Sequence, residues 1–492
     1  MITATHKGKY YDVEYSIVNV SELEGELRLD AEYYDPSWIM LQEKIENLNH
    51  DFLYNLASNK YSTFNPKLYD KFYYIEISNV DLITGDFEVE TLPSHLAPSR
   101  AKKIVEKNDI LISTVRPNRN AVAFIFEVKQ KPLVASTGFC KLKIISNRIK
   151  PCYLFILFKT KYYRDLLVRK TTATMYPAIS EDDIMNLKIP IPSDTFQKFI
   201  EKLVLKAYEE RQKAEQLYKQ AEEILLEELG LKNWKPKTKK IKIGNIEFVE
   251  DENISIRNLS EVIRADRLDA EYWEPKYDEI EELIKNYKNG YSTISKEFLH
   301  KTDKLKVDKE KYYNYVEISS VNISTGDFSP SYLRGEDLPA NAKLKLDKND
   351  LLVSKVRTYR KGIALIKKTY PNLIGSTAFV VLHEKENKKI NIETLFVFLR
   401  TDIFSLWSYK FYTGTTYPTL TDEDILNLPI PLIEPQIQQK ISQLIQQSFK
   451  ARENSKKLLE IAKKTVEIYI EKDENEGLKY AKESLKNLNI TL

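Results

Sequence analysis

Arg28-Leu29-Asp30-Ala31-Glu32-Tyr33-Tyr34-Asp35-Pro36 returns as Arg267-Leu268-Asp269-Ala270-Glu271-Tyr272-Trp273-Glu274-Pro275, 239 residues later. Further along, Tyr74-Ile75-Glu76-Ile77-Ser78 returns as Tyr315-Val316-Glu317-Ile318-Ser319, and Thr84-Gly85-Asp86-Phe87 as Thr325-Gly326-Asp327-Phe328, both at an offset of 241. The register then holds, with Asn108-Asp109 matching Asn349-Asp350, Arg116 matching Arg357, and Tyr176-Pro177 matching Tyr417-Pro418. So long a period is a duplicated domain rather than a solenoid unit. The chain is built on two similar, non-identical modules, for which a one-site enzyme has little use.

Composition agrees. The 492 residues suffice for two to four cores, and 42% hydrophobic content predicts a globular chain. A net charge of +3 does not announce a nucleic-acid binder, though base can still concentrate on one face. No stretch approaches the roughly 18 apolar residues of a membrane span, and Met1–Tyr10 lacks the apolar core of a signal peptide. Cys140 and Cys152 have no counterparts in the second copy and no clustered histidines beside them. They predict neither a zinc site nor a secreted disulfide framework. A reduced, cytoplasmic protein without membrane or metal is the expectation.

The part of each copy before its long helix mixes short β-runs with turns. Phe72–Ile77 and Tyr312–Ile318 are aromatic and β-branched, as strands are. Asp109–Ser113 and Asp350–Ser354 read as buried strands, followed by Val122–Phe126 and Ile363–Ile366, then Ala135–Phe139 and Gly375–Phe379. Leu154–Leu167 and Thr394–Leu406 read as helices. This is an α+β domain.

A heptad helix follows each domain. Phe196, Ile200, Leu203, Ala207, Ala214, Leu217, Ala221 and Ile224 step by fours and threes, and Ile437, Ile441, Leu444 and Leu458 repeat the register. Matching length and register favour two helices packed on each other. The other reading is two helices, each packed on its own domain. The resulting boundaries are 1–192 and 246–433 for the domains, 193–233 and 434–472 for the helices, 234–245 for a basic linker, and 473–492 for a short helical tail.

This order of module, helix, module, helix resembles the specificity (S) subunit of type I restriction–modification systems. The resemblance rests on the duplicated Arg-Leu-Asp-Ala-Glu-Tyr boxes and on two module-ending segments. These are Thr172-Ala173-Thr174-Met175-Tyr176-Pro177 and Thr413-Gly414-Thr415-Thr416-Tyr417-Pro418, each leading through an acidic turn into Ile-Pro and the helix. It implies two tandem target-recognition domains separated by two long antiparallel coiled-coil helices, in a pseudo-two-fold arrangement. It also implies that each domain reads one half of an asymmetric bipartite site on double-stranded DNA. The implied partners are two methyltransferase (M) subunits using S-adenosylmethionine and, in the full complex, restriction (R) subunits using ATP and Mg.

Candidate DNA contacts follow the buried strands. Arg116, Asn118, Arg119 and Asn120 parallel Arg357, Tyr359, Arg360 and Lys361, with Lys355 just before. Arginine can donate two hydrogen bonds to guanine or to phosphate. The arginines present in both copies suit a shared phosphate or scaffold role, and the differing pairs Asn118/Tyr359 and Asn120/Lys361 suit sequence reading. Thr172, Thr174, Thr415 and Thr416 offer hydroxyls to phosphate, beside Tyr176 and Tyr417. Surface ion pairs and hydroxyl-capped turns are the plainer readings of the same residues. The two carboxylates of each Asp-Ala-Glu-Tyr box suit structure or partner docking better than catalysis.

No adenine-methyltransferase Asn-Pro-Pro-Tyr segment, no glycine-rich cofactor loop and no Walker lysine loop occurs, so no catalytic residue is assigned and the chemistry is expected in partners. A coiled-coil adaptor without DNA contact, or an unrecognised DNA-modifying enzyme, are the alternative readings.

Overall fold

Ile110–Ser113 is apolar at successive positions because both faces of this strand are covered. Ile110 and Ile112 enter one core with Val122, Phe124 and the helix Pro151–Lys159, whereas Leu111 enters another with Ala123, Tyr73 and Ile75. The strand lies inside a four-stranded sheet in the order Ala57–Ser58, Phe139–Ile144, Ile110–Ser113, Val122–Phe124. A second sheet, in the order Glu90–Pro93, Lys71–Ile75, Leu133–Ser136, Ala101–Ile104, packs across the second core. The second module repeats both sheets in the same strand orders. The computed structural model describes the chain apart from residues 1, 8–11, 21–22, 24–28, 30, 172–175, 237–238, 244–245, 251–254 and 413–416.

Two expectations are corrected inside each module. The run Ala135–Phe139 reads as one strand, yet the chain leaves the second sheet at Ser136 and enters the first at Phe139. A run buried on both sides shows no alternation that would reveal the crossing. Leu154–Leu167 reads as one helix but is two, broken at Thr160, whose backbone is extended (φ −66°, ψ 153°). The Thr160 hydroxyl accepts from the Tyr163 amide at 3.3 Å and donates to the Leu157 carbonyl at 2.6 Å, so it caps one helix and closes the other. Thr401 does the same for Phe404 and Phe398 at 3.1 and 2.8 Å.

The long helices are Asp194–Glu228 and Pro435–Glu471. By internal contact the chain divides into two units, Met1–Arg211 with Arg452–Leu492, and Gln212–Ala451. Each unit therefore holds the first half of one long helix and the second half of the other. Inside the first unit the rings of Phe196 and Tyr469 lie 5.2 Å apart and Asn454 Nδ2 donates to Glu210 at 3.3 Å, so the helix halves run antiparallel. Inside the second, Ser448 Oγ donates to the Ala214 carbonyl at 2.7 Å.

The buried face is wider than a heptad seam. Phe196, Ile200 and Leu203 share the first module's core with Leu458, and Ile441 lies in the second module's core. Ile224, Ile437 and Leu444 are only partly buried against that second core, and Leu217 is half-buried and in neither. Val204, Leu225, Ile445, Ile461, Val466 and Ile470 are among the buried residues outside the expected register. The helices pack on their own modules and on each other's halves at once, so the two readings of the heptads are not exclusive.

The expected linker is corrected too. Lys239–Ile243 is a strand, paired antiparallel with Ile246–Glu250, and Ile2–Lys7 with Asp12–Ile17 is its counterpart in the first copy. The alternating Ile241-Lys242-Ile243 is strand periodicity that lysine content disguises as linker. The tail forms the helix Glu474–Leu488, which places Ala481 and Leu485 in the first core. Among the described residues no helix is long and apolar enough to cross a membrane.

Candidate nucleic-acid interface

Each central buried strand ends in a serine that turns the chain sharply. Ser113 Oγ donates to the Val115 carbonyl at 2.6 Å, and Ser354 Oγ to the Val356 carbonyl at 2.8 Å. The next arginine, Arg116 or Arg357, adopts left-handed backbone with φ 50° in both copies. One 3-10 turn follows, Pro117–Arg119 or Thr358–Arg360, and a second left-handed residue closes it, Asn120 at φ 55° or Lys361 at φ 59°. Side chains other than glycine seldom occupy this region, so surroundings must hold the loop in shape.

The Tyr-Pro segment holds it. Arg116 N–H donates to the Pro177 carbonyl at 2.7 Å and Ile179 N–H to the Thr114 carbonyl at 2.9 Å. Arg357 with Pro418 and Leu420 with Lys355 repeat these bonds, each at 2.9 Å. The guanidinium carbon then stands 4.8 Å from the ring centre of Tyr176, and that of Arg357 4.8 Å from Tyr417. Both rings stay open to solvent, 63% and 66% exposed. Two segments that read separately along the sequence form one site in each module.

The other candidates divide into outward and inward residues. Asn118, Arg119 and Arg360 are exposed. Asn120 Nδ2 donates to the Lys159 carbonyl at 3.1 Å and Lys361 pairs with Asp402 at 2.6 Å, so both side chains close the loop instead of projecting from it. Lys355 pairs with Asp422 of the acidic turn at 2.8 Å. Tyr359 stacks on Tyr409 at 4.9 Å and 22°, and its amide donates to the Tyr412 hydroxyl at 2.8 Å. Thr172, Thr174, Thr415 and Thr416 lie outside the described residues.

The box residues act as struts. Arg267 donates to both carboxylate oxygens of Asp269 at 2.6 Å and to the Tyr412 carbonyl at 3.3 Å, which ties the box to the base of the second site. Tyr33 and Tyr34 of the first box are buried, and Arg169 donates to the Tyr33 carbonyl at 2.7 Å. Cys140 and Cys152 are buried free thiols, and burial pushes Cys152 up to about 12.

Two groups beneath the loops escape sequence reading. Tyr409 and Tyr412 wall the second loop, and their first-copy counterparts, Val168 and Thr171, share nothing with them. Lys159 and Arg400 are buried at matching positions. The signal that could have found them is a basic residue ending an apolar helical run in both copies, Phe158-Lys159-Thr160 and Leu399-Arg400-Thr401.

Part of the chain matches a known family. Residues 57–222, spanning most of the first module and most of its helix, match the family described as type I restriction modification DNA specificity domain. The chain is 27% identical over 373 residues to the type I restriction enzyme MjaIX specificity subunit of Methanocaldococcus jannaschii, covering 74% of this chain and 76% of the relative. It is 29% identical over 139 residues to the HindI specificity subunit of Haemophilus influenzae, a match spanning 27% of each chain. Among solved structures, the HsdS subunit from Thermoanaerobacter tengcongensis aligns over 86% of this chain and 97% of that one, at 17% identity and a TM-score of 0.31. The S subunit from M. genitalium aligns over 85% and 95%, at 14% identity and a TM-score of 0.36. The match to the type I restriction modification DNA specificity domain thus lies on residues 57–222, and the likeness to a specificity subunit extends over 74% of the chain.

Proposed function

We propose that this chain is the DNA sequence-recognition subunit of a type I restriction–modification complex, with each module reading one half of an asymmetric duplex target. The observation that carries this reading is the repeated pairing of Arg116 with Tyr176 and Arg357 with Tyr417, on strained loops beside exposed Arg119 and Arg360. A guanidinium whose face rests on a ring presents a planar edge whose geometry matches phosphate or guanine. The loops agree in their arginines and differ at Asn118 and Tyr359, as expected of modules that share backbone contacts and read different bases. A helix of 35 residues is ~50 Å long, more than one ~34 Å turn of duplex, which favours two specific blocks with unspecified base pairs between them.

Chemistry is assigned to partners. Two methyltransferase subunits carrying S-adenosylmethionine would methylate adenine, and restriction subunits with ATP and Mg would cut. This chain is given no catalytic residue, cofactor or metal, and it works in the cytoplasm. Mapping methylated adenines genome-wide in a host with and without the chain tests the proposal. An interrupted asymmetric motif that vanishes with the chain is expected, and a continuous palindrome or an unchanged methylome overturns it.

A further inference from the structure

Beneath each arginine loop lies a turn that carries the Thr-Gly-Asp-Phe box. Asp81 caps the first turn by accepting from the amides of Ile83 and Thr84 at 2.9 and 2.7 Å, and Asn322 caps the second from Ser324 and Thr325, both at 3.0 Å. A single buried basic residue docks the turn to the site loop in each module. In the second, Arg400 Nη2 donates to the Ile323 and Ser324 carbonyls, both at 2.9 Å, while its Nη1 donates to the carbonyls of Lys361, which closes the loop, and Ile363, in the strand after it, at 3.0 and 3.2 Å. A Cβ on Gly326 would stand 3.0 Å from the guanidinium carbon, so the turn sits directly on it.

The first module divides the same task. Lys159 Nζ donates to the Leu82 carbonyl at 2.6 Å, and only the Lys159 main-chain carbonyl reaches the loop, accepting from Asn120 at 3.1 Å. A guanidinium is a rigid fork of five donors, whereas an ammonium is a compact point charge on a flexible stem. Arg400 thus fixes two segments through one planar group, and Lys159 fixes one.

We infer that Lys159 and Arg400 are positioning residues for target discrimination, and that the first module, holding its loop with lysine, reads its half-site less stringently than the second. This rests on the DNA-reading function proposed above. The test uses the full-length chain, a duplex selected from a random library, and single-base variants of each half. Arg400→Lys lowers discrimination at the second half-site about tenfold, the equivalent of one charge-assisted hydrogen bond, and leaves the first unchanged. Lys159→Arg sharpens the first half-site alone. Amide exchange at residues 357–361 rises in Arg400→Lys. Unchanged discrimination at both halves, with or without faster exchange, overturns the inference, as does equal loss at both. A parent chain that selects no sequence overturns the DNA-reading function itself, and this inference with it.

Discussion

The Arg116 guanidinium and the Tyr176 ring, far apart in sequence, face each other at 4.8 Å, and main-chain bonds from both neighbours lock the approach. Exposed Arg119 stands at the other end of the same 3-10 turn. Replacing both arginines with Ala is expected to weaken duplex binding and to lower the salt slope by roughly one for each phosphate no longer neutralised. Anisotropy titrations across salt concentrations measure both. If the arginines meet bases, discrimination falls at one half-site instead, and no change in either would make them bystanders.

Tyr176 separates ring from hydroxyl. Tyr176→Phe retains the face beneath Arg116, whereas Tyr176→Ala removes it at a cost of about 0.5–1 kcal/mol in loop order. Affinity in the Phe variant should stay near that of the parent, with the Ala variant weaker. Equal loss in both would assign the contact to the phenol oxygen.

The helix face offers a contrast between pattern and packing. Leu225 is wholly buried in the second core, while Leu217 is half-buried outside either core. Leu225→Ala should cost about 2–5 kcal/mol, as buried leucines do, and Leu217→Ala under about 1 kcal/mol. Denaturant unfolding reads both values. The reverse order would show that the heptad seam, not the module-facing stripe, dominates.

Burial lowers the Lys159 ammonium from 10.5 to about 8. Between those values the unfolded chain binds more protons than the folded one, so stability rises with pH from about 8 to 10.5. The cost of the buried charge is fully present below that window, at most about 3 kcal/mol. Lys159→Met removes this titration. The missing bond to Leu82 shifts its stability by a constant, so its stability relative to the parent is highest near neutrality and declines toward pH 10. Parallel pH profiles for parent and variant would sink the assignment.

A fragment of residues 1–234 retains the first module and one long helix but lacks Arg452–Leu492, which completes its unit. Phe196, Ile200 and Leu203 would then lose the part of their core that Leu458, Ile461 and Tyr469 supply, at roughly 25 cal/mol per Å² of apolar surface. A second copy offers a helix of matching register, so the fragment should dimerise and, with M subunits, direct methylation to an interrupted palindrome. Light scattering that finds a stable monomer contradicts this.

The duplication made the two modules and their helices legible, because matched boxes survive wherever a turn or a strand end repeats. Boundaries hidden inside continuous apolar runs were not legible. Ser136-Thr137-Gly138 crosses between sheets, and Thr160 breaks a helix, without any change in hydrophobic pattern. The site loops could be located from Arg116 and Arg357, but their partnership with Tyr176 and Tyr417 depends on tertiary pairing that no local spacing encodes. For the same reason Asn120 and Lys361 read as outward candidates, although their amide and ammonium turn inward to Lys159 and Asp402.

The first unit closes only with Arg452–Leu492, which follow the second module in sequence. On the ribosome, the opening module therefore waits through the synthesis of the whole second module with the side of its helix that Leu458 and Tyr469 later cover still bare. Neighbouring ribosomes on one message carry the same bare helix face at the same time, which places two nascent chains in reach of mutual capture. The order of translation thus sets a race between a helix meeting its partner in its own chain and meeting its neighbour, and slower elongation through the second module favours the neighbour.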